Sequence, residues 1–276
     1  MNRRILLFLS LIPALALVGF MLRGNGDQPA QRLLITGSST LAPLAAAIAE
    51  RYEAMHPGLR IDVETGGSSR GIADVMRGDA DIGMASRPLV ASETGLRTHI
   101  VARDGLALIV HAENPIRSVS SAQVIALYRR ETADWRALGG RPGTVILVHK
   151  AEGRGTLAVF LHHFGLENSD IRPDVVVGEN VQAIKTVAAN PQAIGYVSIG
   201  AADAAVREGV PIRLLALDGV PATPAAVRSG DYGLARDLLF VTRPDAPARA
   251  RDFLAFATSP AVDDLIMRND LVPPPR

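Results

Sequence analysis

The chain has 276 residues, 48% of them hydrophobic and 21% charged, with a formal net charge of +1. That length and apolar content bury an ample core and favour two lobes over one. The near-neutral balance lacks the basic face that nucleic acids need, and an aromatic content of 4% supplies no stacking platform for bases or sugars. The absence of cysteine removes disulfides, thiolate metal sites and lipid attachment through a thiol.

Asn2-Arg3-Arg4 precedes an uncharged run of 18 residues, 5–22, which Arg23 closes. A positive flank and an apolar run mark export or anchoring. Signal-peptide cores span roughly 7–15 residues and a membrane-crossing helix about 20, so this run falls between them. Ala14-Leu15-Ala16 offers a cleavage site, yet cutting there leaves the apolar end Leu17-Val18-Gly19-Phe20. The expectation is an uncleaved anchor with the body of the chain outside the cytoplasm. A polar linker follows at 24–32.

From Leu33 the pattern alternates. A strand at 33–36 leads into a helix at 41–56, with Leu44, Ile48, Ala49 and Tyr52 at helical spacing. Pro57-Gly58 ends it, a strand follows at 59–64, a helix at 71–77 and a third strand at 80–85. Two glycine/serine turns, Gly37-Ser38-Ser39-Thr40 and Gly66-Gly67-Ser68-Ser69, each follow a strand and open a helix. Helix starts leave N–H groups unpaired and carry partial positive charge, so two facing one cleft make an anion site with hydroxyls as further donors. Ser86-Arg87 closes this stretch, and Asp79 and Asp81 read as solvated.

The apolar run at 106–111 reads as a buried strand, followed by a helix at 121–129 and an irregular segment around Trp135. A strand at 144–149 runs into a third glycine turn, Lys150-Ala151-Glu152-Gly153-Arg154-Gly155-Thr156, and a helix at 157–164. Strands at 175–177, 193–197, 212–217 and 238–242 surround a helix at 181–189 and a loop-rich stretch at 221–232. Helices at 246–258 and after Ser259-Pro260 end the chain. Repeated strand–helix units predict an α/β fold on a parallel sheet. If the strands at 106–111 and 238–242 cross between lobes, 33–105 and 238–276 form lobe I, 106–237 forms lobe II, and 1–32 is signal or anchor with its linker. A ligand then sits in the cleft and the lobes hinge over it. His111, His149, His162 and His163 have no metal-ligand spacing, and no nucleophile–base pair or Gly-x-Ser-x-Gly stands out.

The ordered pieces TGSSTLAPL, TGGSSRGI, GDADIGMASRPL, ARDGLALIVHAENP, EGRGT, AIGYV and LDGVPATPAAVRSGDYGLARDLLF, with the segment ending in Trp135 among them, cover the chain from about Leu33 onward. They resemble the phosphate-binding component of bacterial ABC phosphate uptake systems, a two-lobed type II periplasmic binding fold. The resemblance implies capture of phosphate or a related oxyanion by lobe closure and delivery to an ABC permease in the inner membrane, by a periplasmic monomer that is not an enzyme and needs no cofactor. It implies ligand contacts from Ser38, Ser39 and Thr40, from Ser68 and Ser69, from Arg87, and from Lys150, Arg154, Gly155 and Thr156, with Asp104 as a further acceptor or ion-pair partner. Two positions depart from the family motif R-x-x-G-S-G-T: its arginine is Lys150 and its serine is Arg154. Some members also carry an aspartate at the third motif, where Arg87 stands. The alternatives are a membrane-tethered sensor of phosphate status and, behind it, a hydrolase on the same scaffold.

Overall fold

The computed structural model describes residues 31–275. The apolar run at 5–22 lies outside them, and among the described residues no helix is long and apolar enough to cross a membrane.

The chain opens with β1 (Gln31–Gly37), α1 (Ala42–Met55), β2 (Leu59–Thr65), α2 (Ser68–Arg77) and β3 (Ile82–Ala85). The long strand β4 (Arg97–His111) follows, then β5 (Ser118–Val119), α3 (Ser121–Tyr128), β6 (Ile146–Lys150), α4 (Gly155–Phe164), β7 (Val175–Val177), α5 (Asn180–Ala188) and β8 (Ala193–Ser198). The remainder is α6 (Ile199–Arg207), β9 (Ile212–Leu214), β10 (Ala216–Leu217), α7 (Pro224–Ser229), β11 (Ala235–Thr242), α8 (Ala248–Ala257) and α9 (Asp263–Arg268).

One curled sheet runs β2-β1-β3-β11-β4-β8-β6-β7, with β9 also on β4. It is mixed, where a parallel sheet was expected. β1 pairs in parallel with β2 and β3, and β6 with β7 and β8, but β11 runs antiparallel to both β3 and β4, and β4 antiparallel to β8. The two crossing strands cause this, because a chain that leaves one lobe and returns to it must traverse the seam in opposite directions.

Two apolar clusters flank the seam. Leu33, Ile35, Leu44, Ile48, Val101, Leu238, Phe240 and Phe253 belong to one, and Leu106 to Val110, Trp135, Phe160, Tyr196 and Leu234 to the other. Each side chain of this size removed from water contributes roughly 1.5–3 kcal/mol. β4 passes from one cluster to the other between Ala102 and Leu106, and the chain entering β11 does so between Leu234 and Leu238. At the crossing Arg236 of β11 sits opposite Asp104 of β4.

Some local expectations change. β4 starts nine residues earlier than its apolar run, at Arg97 rather than Leu106, because its first half, though mostly polar, pairs along β11. The stretch at 221–232 contains α7, with the Thr223 hydroxyl capping Ala226 N and Pro224 in the first turn. The expected strand at 212–217 divides into β9 and β10. α6, which the reading of the chain passed over, follows β8 directly. Asp81 is not merely solvated: it accepts from Leu34 N at 3.0 Å and pairs with Arg249.

Candidate functional site

The site is assembled from three chain reversals that meet at the seam. In the first, Ser38 N donates to Met84 O at 2.9 Å, and the helical bonds begin with Leu41 N and Ala42 N on Ser38 O. The N–H groups of Ser39 and Thr40 therefore stand ahead of α1. Gly37 is obligatory here: its φ is +133°, and a Cβ would lie 2.3 Å from Met84 O. The second reversal is stapled to the first, since Gly66 N and Gly67 N both donate to Gly37 O at 2.9 Å. The third brings Gly153 to Gly155 from the other lobe. Ser69 N donates to Gly153 O at 3.1 Å, and a Cβ on Gly155 would lie 2.5 Å from the hydroxyls of both Ser68 and Ser86. The starts of α2 and α4, each ten residues long, thus face one another with no room for a side chain on Gly155.

Arg236 occupies the centre. Its side chain is 1% exposed and that of Asp104 is 0% exposed. Nη2 and Nε donate to Asp104 Oδ2 at 2.8 and 3.2 Å, while Ser198 Oγ donates to Oδ1 at 3.0 Å. Burial pushes the carboxyl up and the guanidinium down, and each partner opposes the other's shift. The same guanidinium reaches both lobes, donating to Thr156 Oγ1 at 3.0 Å and to Thr40 Oγ1 at 3.2 Å.

These bonds orient the hydroxyls. Thr40 Oγ1 accepts from Arg236 and also from Asn180 Nδ2 at 3.2 Å, a bond that joins the lobes. Thr156 Oγ1 accepts from Arg236, and Ser68 Oγ accepts from Ser86 N at 3.0 Å. An oxygen that already accepts from fixed N–H groups turns its own proton elsewhere. Thr40 and Thr156, both on one guanidinium, keep their own protons for donation alongside helix-start N–H groups, and Ser68 Oγ shares a contact of 3.3 Å with Ser86 Oγ in which either can donate. This suits a small anion with many acceptor oxygens.

The other sequence candidates have definite places. Lys150, 2% exposed, donates from Nζ to the Glu179 carbonyl at 2.9 Å and to Asn180 Oδ1 at 3.3 Å. Burial is the main influence that drives its amine down to about 7; Glu179 opposes this, and Arg236 and Arg154 add to it. Arg154 precedes α4, donates to Glu179 Oε1, and lays its stem against Gly67, whose missing Cβ leaves the space. Arg87 gives both terminal nitrogens to Glu93, at 2.8 and 2.7 Å, and also bonds Ser69 Oγ and Pro88 O. The guanidinium holds the Glu93 carboxyl below its ordinary range. Asp104 is the ion-pair partner of Arg236. Ser39 and Thr40 with Glu179, Asn180 and Ser198 line a cleft of about 520 Å³ between the lobes. Among the described residues no group of three or more His, Asp or Glu side chains is placed to hold a metal ion.

Arg236, Asn180, Glu179 and Ser198 escaped the reading of the chain as site residues. A signal for the first existed. Arg236 and Asp104 are opposite charges just upstream of the two apolar runs taken to cross the seam.

A PBP superfamily domain matches residues 24–261. The chain belongs to that family. Its architecture is the type II periplasmic-binding-protein fold, shared at a TM-score of 0.84 and 28% identity with a Clostridium perfringens structure described as a phosphate ABC transporter substrate-binding protein with bound phosphate; the match covers 89% of this chain and 100% of that one. An ABC-type phosphate transport receptor from Vibrio cholerae matches at a TM-score of 0.73 and 29% identity, over 88% and 100% of the two chains. The phosphate-binding protein PstS of Bacillus subtilis is 26% identical over 248 residues, 88% of this chain and 81% of its own length. The inter-lobe region of this fold contains Arg236, with Thr40 and Thr156 bonded to it.

Proposed function

We propose that this chain is an extracytoplasmic solute-binding protein that captures phosphate by closing its lobes on the anion and delivers it to an ABC permease. The observation that carries this reading is the pair of buried hydroxyls Thr40 and Thr156, each accepting from Arg236 and so keeping its proton to donate, with the Ser68–Ser86 hydroxyl pair beside them. Relatives described as phosphate carriers support it. Helix-start N–H groups at Ser39, Gly155 and Thr156 complete the donor set, with Ser38 shaping the first turn and Ser69 joining the lobes through its backbone. Arg236 and Lys150 supply positive charge, and Arg154 closes over Gly67. Charge-assisted bonds of this kind contribute about 1.5–3 kcal/mol each where a neutral pair gives about 1. Phosphate leaves this cleft unchanged, and the residues described carry out binding rather than catalysis. The apolar run at 5–22 directs the chain across the membrane and tethers it there, and the chain acts as a monomer whose lobes are free to hinge.

Titration calorimetry on the full chain, freed of bound anion, tests the reading. One-to-one saturable phosphate binding that Thr156→Val weakens at least tenfold is expected. Absence of phosphate binding by a folded protein overturns it.

A further inference from the structure

Around Lys150 stand the cations Arg154 and Arg236 and the carboxylate of Glu179, with Asp104 behind Arg236. Asp104 is taken by Arg236, and Oε1 of Glu179 is taken by Arg154. Lys150 is left without a carboxylate of its own. Its surroundings are otherwise settled: the Glu179 carbonyl and Asn180 Oδ1 accept from Nζ, and Tyr196 OH accepts from its backbone N–H at 3.3 Å. The neighbouring His149 ring is bonded to Asn168 and Tyr196, and burial holds its pKa below the ordinary imidazole value, so it adds no charge at neutral pH. Tyr196 is held protonated by its burial.

We propose that Lys150 Nζ receives the proton of the bound oxyanion, so that the cleft takes up a protonated tetrahedral anion and closes over an ammonium–dianion pair. In the step, an O–H bond of dihydrogen phosphate breaks and an N–H bond forms on Nζ, leaving hydrogen phosphate beside a lysine cation. No proton leaves the protein, and the new charge, which Arg236 and Arg154 oppose, is matched by the second negative charge of the anion. The third N–H of the ammonium then has an acceptor, since two are already placed on Glu179 and Asn180. An arginine at this position cannot act so, because it never gives up its proton. Sulfate brings no proton, so its capture must draw one from solvent.

The two anions therefore differ in proton linkage, and the difference deepens the phosphate reading on which it rests. Burial sets the Lys150 amine near neutrality. Above that point the free protein and hydrogen phosphate together lack one proton that the closed complex holds. Phosphate affinity then falls about tenfold per pH unit on the alkaline side, with uptake of about one proton per anion. Below neutrality phosphate binding releases protons, whereas sulfate binding approaches zero exchange.

Titration calorimetry of the full chain from about pH 6 to about pH 9, in paired buffers of different ionisation enthalpy, reads both quantities. The expected results are a phosphate affinity that peaks near neutrality, alkaline proton uptake in the native protein, and loss of the alkaline limb in Lys150→Arg. Proton counting on the native protein needs no variant and stands if Lys150→Arg fails to fold. An affinity that stays flat to the alkaline end without uptake overturns the proposal, and points instead to hydrogen phosphate keeping its proton and donating that O–H to the buried Glu179 Oε2. So does an alkaline limb that persists unchanged in folded Lys150→Arg. Failure of the native protein to bind phosphate at any pH is a different result and overturns the phosphate reading itself.

Discussion

The two walls of the cleft are built from different chemistry. The wall formed by the turns after β1 and β2 offers hydroxyls and backbone N–H groups, all neutral, locked to one another by Gly66 and Gly67 on Gly37 O. The wall formed by β6 and the starts of α4 and α5 offers Lys150, Arg154 and Asn180, with Glu179 bonding both of the cations. Arg236 belongs to the seam and touches both. On the proposed reading the contrast divides the labour: the neutral wall sets shape and donor direction, and the charged wall sets net attraction and its dependence on protons.

Arg236→Met attacks the element common to both walls. It strands Asp104 as a buried, unpaired carboxylate, which costs about 3–5 kcal/mol of stability. Denaturant unfolding measures the loss, and adding Asp104→Leu recovers most of it, while phosphate binding stays abolished. Recovery of binding in the double variant would show that the walls suffice without the seam.

Thr156→Val keeps the volume and removes one oriented proton. The expected loss is about 1.5–3 kcal/mol of binding energy, or roughly 10- to 100-fold in Kd by calorimetry. Ser68→Ala tests the same property on the neutral wall and is expected to lose a similar amount.

Gly155→Ala separates closure from folding. A methyl there meets Ser68 and Ser86 hydroxyls at 2.5 Å, so the closed arrangement is opposed by about 1–3 kcal/mol. Drawing the lobes apart would relieve that clash, and alanine favours the α4 start. Unchanged melting without ligand, with weaker phosphate binding, is the expected pair of results.

Arg87→Ala has the smallest expected effect on the anion. Its guanidinium is already bonded by Glu93, so phosphate affinity shifts less than about threefold. The loop that Glu93 braces loosens instead, which hydrogen exchange at Val90 N reads, since Glu93 accepts from that group at 2.9 Å. A large loss of affinity here would move Arg87 into the anion's contact set.

Much of the neutral wall was legible in the chain. A β-branched run, a glycine/serine turn and a helical period are local signals, because turn geometry and helix capping depend on residues within a few positions of one another. They located Ser39, Thr40, Ser68, Gly155 and Thr156 near helix starts. The order of the quoted motifs also implied a two-lobed binding fold, which the family match bears out. The partners of the charged residues were not legible. That Arg154 bonds Glu179 and that Lys150 is left between two amide-type acceptors are outcomes of packing between separate segments, while Arg87 bonds Glu93 within one irregular loop that no helix or strand period marks.

The same division holds for the sheet. Strand–helix alternation determined that the chain forms an α/β fold, since periods of two and of 3.6 are properties of short stretches. Only the tertiary structure decided that the sheet is mixed, because strand direction depends on where the chain crosses the seam. It also decided that Arg236 lies opposite Asp104, 132 positions away in the chain. A buried charge needs a partner, and which partner it finds is set by the register of two strands that no local pattern encodes.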